Sequence, residues 1–123
     1  MSNIILKVPF RFQKSENSCF PTCISMVLQY YGTSIKTEFL YKKGRLPGNL
    51  YTWDAALAPS VIKKGFRFIA YWNGSVDKWK IKKETKDAYK NAYKKALDAG
   101  MEHKRNATVA EIKKFLNNRI PPV

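Results

Sequence analysis

The chain has one histidine and two cysteines among its 123 residues. A structural metal asks for about four donors, so no metal or other cofactor set is read from so few nitrogen and sulfur ligands. The cysteines, Cys19 and Cys23, lie four apart within Cys-Phe-Pro-Thr-Cys. On a helix they would share a face, but redox and zinc pairs usually have two intervening residues. A disulfide inside one helical turn has poor geometry. Carboxylates are scarce too, with 9 Asp and Glu against 23 Lys and Arg, for a net charge of +14. Six Gly and 6 Pro are too few for a collagen-like or low-complexity chain. No apolar run approaches the roughly 18–20 residues of a membrane span. Met1 to Phe10 lacks the basic start and apolar core of a secretory signal, so the expected compartment is the cytoplasm.

What is present suits one globular domain. Apolar residues make up 45% of the chain, and 7 Phe, 7 Tyr and 3 Trp can fill much of a core. At this size roughly two-thirds of the unfolded chain's surface is buried on folding. The basic excess favours an anionic contact such as nucleic acid, an acidic protein or a lipid headgroup surface. A solvated, self-repelling surface would need no such partner.

Ile4 to Gln13 alternates only in part and predicts an extended segment, with Pro9 confining it to an edge. Cys19 to Tyr31 predicts a helix ending at Gly32, with Pro21 in its first turn. Cys23, Met26, Val27, Tyr30 and Tyr31 recur there at helical spacing and are expected to be buried. A second helix is predicted over Thr37 to Lys43. A third runs from Trp53 to about Lys64, capped by Thr52 and kinked at Pro59. Phe66 to Trp72 reads as the best strand, closed by Asn73-Gly74. A long amphipathic helix is expected over Trp79 to Ala99, stopped by Gly100. Thr108 and Glu111 form a capping box for a last helix to about Leu116.

Cys19 carries the chemistry. In the first turn of an apolar helix, free amide N–H groups and the dipole stabilise a thiolate. Gln13, six residues upstream, could offer its amide to an oxyanion beside that sulfur. A buried cysteine beside an incidental glutamine is the plainer alternative.

Val8-Pro9-Phe10-Arg11-Phe12-Gln13, Ser18-Cys19-Phe20-Pro21-Thr22-Cys23 and Met26 to Gly32 together resemble the papain-like bacteriocin-processing (double-glycine leader) peptidases. The resemblance covers most of residues 4 to 72. It implies a papain-like α+β fold, of which the chain carries the mainly helical N-terminal half with one or two strands. It implies Cys19 as nucleophile, Gln13 as oxyanion-hole donor, and a peptide or protein substrate. Phe20 stands where the family usually has Gly. The family's general base is a His at the head of an apolar strand, with Asp or Asn after it. His103, in Gly100-Met101-Glu102-His103-Lys104-Arg105, reads instead as a surface residue in a polar turn. One papain-like domain over residues 1–123, incomplete at its C-terminus, is therefore expected. The half with the base would lie past Val123 or on a second chain.

The rival reading is a degenerate, non-catalytic basic binding module. Lys78, Lys82, Lys86, Lys90 and Lys94 recur at i, i+4, and Lys82 to Lys94 form the candidate anion-binding stripe for nucleic acid or an acidic protein. The opposite face, Ile81, Ala88, Tyr89, Ala92, Tyr93, Ala96 and Leu97, is expected to be buried. Glu84 and Asp87 would offset some of the lysine charge.

Overall fold

Residues 5–123 are described in a computed structural model. The order is a 3-10 turn (Glu16–Ser18), α1 (Cys19–Tyr30), α2 (Thr37–Gly44), α3 (Asp54–Ile62), β1 (Ile69–Tyr71), a 3-10 turn (Val76–Lys78), α4 (Lys83–Ala99), β2 (Glu102–Lys104) and α5 (Val109–Asn117). The two strands are parallel, pairing Ile69 with Glu102, Ala70 with His103 and Tyr71 with Lys104. Parallel neighbours need a long crossover, and α4 supplies it. The class is α+β.

Helix ends follow local chemistry. Gly32 takes φ +84°, its amide bonds to Gln29 O at 2.9 Å, and Thr33 N–H bonds to Leu28 O at 2.9 Å. This double closure needs a left-handed residue, which glycine supplies without a Cβ penalty. Thr108 Oγ1 accepts from Glu111 N–H at 3.2 Å, while Glu111 Oε1 accepts from Thr108 N–H at 3.1 Å, completing the expected capping box.

The third helix starts differently from expectation. Trp53, not Thr52, is its N-cap, because Thr52 pairs across an isolated antiparallel bridge with Arg45. Gly44 permits that contact, since a Cβ there would come within 3.0 Å of Thr52 Cβ. α3 continues through Pro59. It presents Leu57 and Val61 to one apolar cluster, with Ile24, Leu28, Ile35 and Leu40. Ala55 and Ala58 face a second cluster with Leu46, Ala70, Tyr89, Ala96 and Met101. Small side chains on both partners (Ala55, Ala58, Ala96) suit close helix packing, and α4 packs chiefly on α3.

The strand and the long helix are both shorter than predicted. Only Ile69–Tyr71 of the 66–72 run is strand. Trp79 does not begin α4. It stacks on Trp53 at 5.3 Å and meets Trp72 at 5.7 Å and Tyr89 at 5.0 Å. That docking draws the chain off the helical path, and Lys82 becomes the N-cap. The expected apolar face of α4 holds at Tyr89 and Ala96, whereas Leu97 is 43% exposed. Residues 5–13 form no strand, and Ile4 lies outside the described residues.

Tyr89 is buried and its hydroxyl donates to Asp54 Oδ1 at 2.9 Å, tying α4 to the first turn of α3. Burial and the nearby carboxylate push its pKa up, so the phenol stays protonated. Tyr89→Phe should destabilise the fold by about 1.5–3 kcal/mol, the usual worth of a hydrogen bond to a charged group. The check is a lower urea midpoint at unchanged m-value. Glu111 is held below the usual carboxylate range, first by its backbone bond from Thr108 and then by the Thr108 hydroxyl. A carboxyl whose folded pKa is lowered adds stability above its unfolded pKa and loses it as pH falls through the folded value. Acidification below about pH 4.5 should therefore loosen α5, followed by the amide shifts of Thr108 and Glu111, and Glu111→Gln should remove that pH dependence.

Candidate functional site

The helix that opens with Cys19 is set by a run of hydroxyls. Ser18 Oγ accepts from Ser15 N–H at 3.2 Å and donates to Ser15 O at 2.9 Å, closing the turn before Cys19. Thr22 Oγ1 donates to Ser18 O at 2.6 Å, and Ser25 Oγ donates to Thr22 O at 2.8 Å. Ser25 Oγ also meets Thr37 Oγ1 of α2 at 3.2 Å. Ser18, Thr22 and Ser25 are all buried, together with Pro21, Ile24 and Leu28. This is the inward face of α1.

The outward face therefore carries the thiols. Cys19 is the first residue of α1, and both Cys19 and Cys23 are free and exposed. This corrects the expectation of a buried stripe from Cys23 to Tyr31. Met26, Val27 and Tyr30 are only half-buried, and Tyr31 is exposed. Two apolar stripes compete on this helix, and the one carrying the hydroxyls faces inward. Phe20 leans onto the cluster of Ile24, Leu28 and Leu57, so its ring has an apolar seat.

The loop before Cys19 is anchored at several points. Arg11 Nε donates to Gln29 Oε1 at 3.0 Å, holding the extended segment against α1. Lys14 pairs with Glu38 of α2, and that pairing lowers the Glu38 pKa. Gln13 Nε2 donates to Ser15 O at 2.8 Å, at the turn that leads into Cys19. One of its two amide hydrogens is thereby engaged and the other is left for a further acceptor. The structure attaches Gln13 to this turn, without a direct bond to the sulfur.

His103 is not in a polar turn. It is the central residue of β2, half-buried and stacked on Trp72 at 4.5 Å. Its Nε2 lies 2.9 Å from Trp72 O and its Nδ1 lies 2.6 Å from the Tyr93 hydroxyl. A carbonyl only accepts, so Nε2 donates to Trp72 O, and Nδ1 shares the second bond with the Tyr93 hydroxyl. Both nitrogens are committed to the packing of β1, β2 and α4. No spacing rule could have found this, because Glu102-His103-Lys104 has no apolar alternation.

The lysine stripe is shortened and partly neutralised. Lys78 lies in a 3-10 turn and Lys82 is a cap, so Lys86, Lys90 and Lys94 remain on α4. Lys90 Nζ is 2.6 Å from Asp77 Oδ1, and Lys86 Nζ donates to Asp77 O at 3.0 Å. The pairing holds Asp77 below and Lys90 above their ordinary pKa values. Asp77 meets the stripe, in a place where Glu84 and Asp87 were expected. Replacing Lys86 and Lys94 by Gln should change the salt dependence of nucleic-acid binding no more than replacing Lys42 and Lys43, as a diffuse basic surface requires. A slope reduced by roughly two units only in the α4 pair would mark this helix as a true phosphate track.

Among the described residues no group of three or more His, Cys, Asp or Glu converges as a metal site. Among the described residues no helix is long and apolar enough to cross a membrane. No curated protein and no solved structure matches the chain. A family model described as the Peptidase_C39 like family matches residues 5–123. The helical α+β arrangement with Cys19 opening α1 fits the papain-like fold that the family implies. By that match over nearly its whole length, the chain belongs to the Peptidase_C39-like family.

Proposed function

We propose that the chain is the nucleophile-bearing unit of a cysteine peptidase acting on a peptide or protein. In this reading Cys19 attacks the scissile carbonyl, and the free amide hydrogen of Gln13 steadies the developing oxyanion. The observation that carries it is the position of Cys19, exposed at the first residue of α1 behind a cross-braced turn. Unpaired amides and the dipole at a helix start favour an anion. Gln13 is fastened to that turn by its bond to Ser15 O.

The base comes from outside these residues. His103 has both ring nitrogens engaged and would have to leave the sheet to accept a proton from a thiol. A thiolate without a general base turns over poorly, so the isolated chain is expected to react with electrophiles but not to cycle. A histidine carried by further polypeptide or by a second chain would complete the pair.

A short iodoacetamide pulse at about pH 6.5 tests the nucleophile. Peptide mapping should show Cys19 labelled several-fold faster than Cys23, although both are exposed. His103→Gln should leave that ratio unchanged. Equal slow labelling of the two cysteines would remove Cys19 from the nucleophile role, and a ratio that collapses in His103→Gln would restore His103 as its base.

A further inference from the structure

We infer that Cys19 and Cys23 together bind one soft monovalent cation, Cu(I), as a two-coordinate bis-thiolate on the outward face of α1. Both thiols are free and exposed, and both belong to α1. A spacing of four puts them one above the other on the same face. The side chains between them are turned away. Pro21 and Thr22 are buried, and Phe20 packs against the apolar cluster of Ile24, Leu28 and Leu57. The three intervening residues thus leave the outward face to sulfur.

Separation decides what can join the two thiols. Residues four apart on a helix have Cβ atoms about 5–6 Å apart. A disulfide asks for about 3.5–4.5 Å between them, so closing one would unwind the first turn of α1. That turn is held by Thr22 Oγ1 donating to Ser18 O at 2.6 Å and by the bonds between Ser18 and Ser15. A metal makes a longer bridge. Two metal–thiolate bonds of about 2.3 Å in a line set the sulfurs about 4.6 Å apart, which the helical spacing meets as it stands.

Donor number and charge then select the metal. Among the described residues no third His, Cys, Asp or Glu joins the pair. Zinc takes about four ligands and is left unsatisfied by two. Soft sulfur donors favour Cu(I), whose filled d shell and single charge are served by two thiolates in a line. Binding releases the two thiol protons, and two thiolates on Cu(I) carry one net negative charge. The start of a helix favours that anion, and so does a chain of net charge +14. The inference rests on the geometry of α1 and does not require Cys19 to be a nucleophile.

The test is an anaerobic titration of the reduced full chain with Cu(I) buffered by bathocuproine disulfonate. One Cu(I) per chain is expected, with no change in elution volume on size exclusion and two sulfur neighbours by X-ray absorption. C19S and C23S should each weaken binding about 100-fold or more, the loss of an intramolecular second ligand, with unchanged circular dichroism spectra. H103Q should leave the affinity within about twofold. The loaded chain should resist iodoacetamide at both cysteines until excess chelator removes the metal. Unchanged affinity in either serine variant, half a copper per chain with dimerisation, or a nitrogen neighbour that disappears in H103Q would each overturn the site. The labelling ratio of the metal-free chain is read separately, so the copper site and the peptidase reading can each fail without the other.

Discussion

A helix that buries hydroxyls must give each of them an acceptor, and α1 finds most of them on its own backbone. Thr22 returns to Ser18 O, Ser25 returns to Thr22 O, and Thr37 of α2 takes up the side of Ser25. Because the Thr22 and Ser25 bonds are made within α1, these hydroxyls can be buried without the cost of about 1–3 kcal/mol that each unsatisfied group would carry. Those bonds let this face turn inward together with Pro21, Ile24 and Leu28, and the rotation sets the exposure of the thiols. With Ser18, Thr22 and Ser25 inward, Cys19 and Cys23 must point out. The exposure of Cys19 therefore depends on side chains that lie on the opposite, buried face of its helix.

The second half of the chain solves a different problem. Two strands of three residues offer little pairing, so the parallel unit is held by what covers it. Trp53, Trp72, Trp79, Tyr89 and Tyr93 pack ring on ring with His103 in their midst. The indole nitrogens of Trp53 and Trp72 are buried without a partner among the described residues, so ring area rather than polar pairing supplies the adhesion. His103 is the polar exception. It bonds at one nitrogen to the strand end and at the other to α4, which suits a structural tie.

What could be read from the sequence was local. The Gly32 closure and the Thr108–Glu111 box lie within a few residues of the groups they satisfy, so spacing alone revealed them. Cys19 at a helix start and Gln13 just before it were legible for the same reason. Three of the misreadings involve distant partners. Thr52 was drawn from a cap to a bridge by Arg45, Trp79 from a helix to a ring cluster by Trp53, and Glu102–Lys104 into a strand by Phe68 to Trp72. The buried face of α1 was misjudged because its two apolar stripes have the same period, and periodicity cannot rank them.

The charge of +14 has to be read through the same local geometry. Four of the nine carboxylates, Glu38, Asp77, Glu102 and Glu111, each pair with a Lys or Arg, and Asp54 serves Tyr89. The surface pairs are worth little in stability, but each cancels the field at one place. Asp77 does so along α4, where sequence periodicity had suggested the strongest anionic partner. At the strand ends Glu111 does the same for Arg105, while Lys104 Nζ lies 6.0 Å over the Tyr71 ring. A uniform excess of cations steers any anion toward the protein without choosing where it stops. Choice needs a place where neighbouring cations stay uncancelled, and Asp77 at Lys90 removes that condition along α4 as Glu111 does at Arg105.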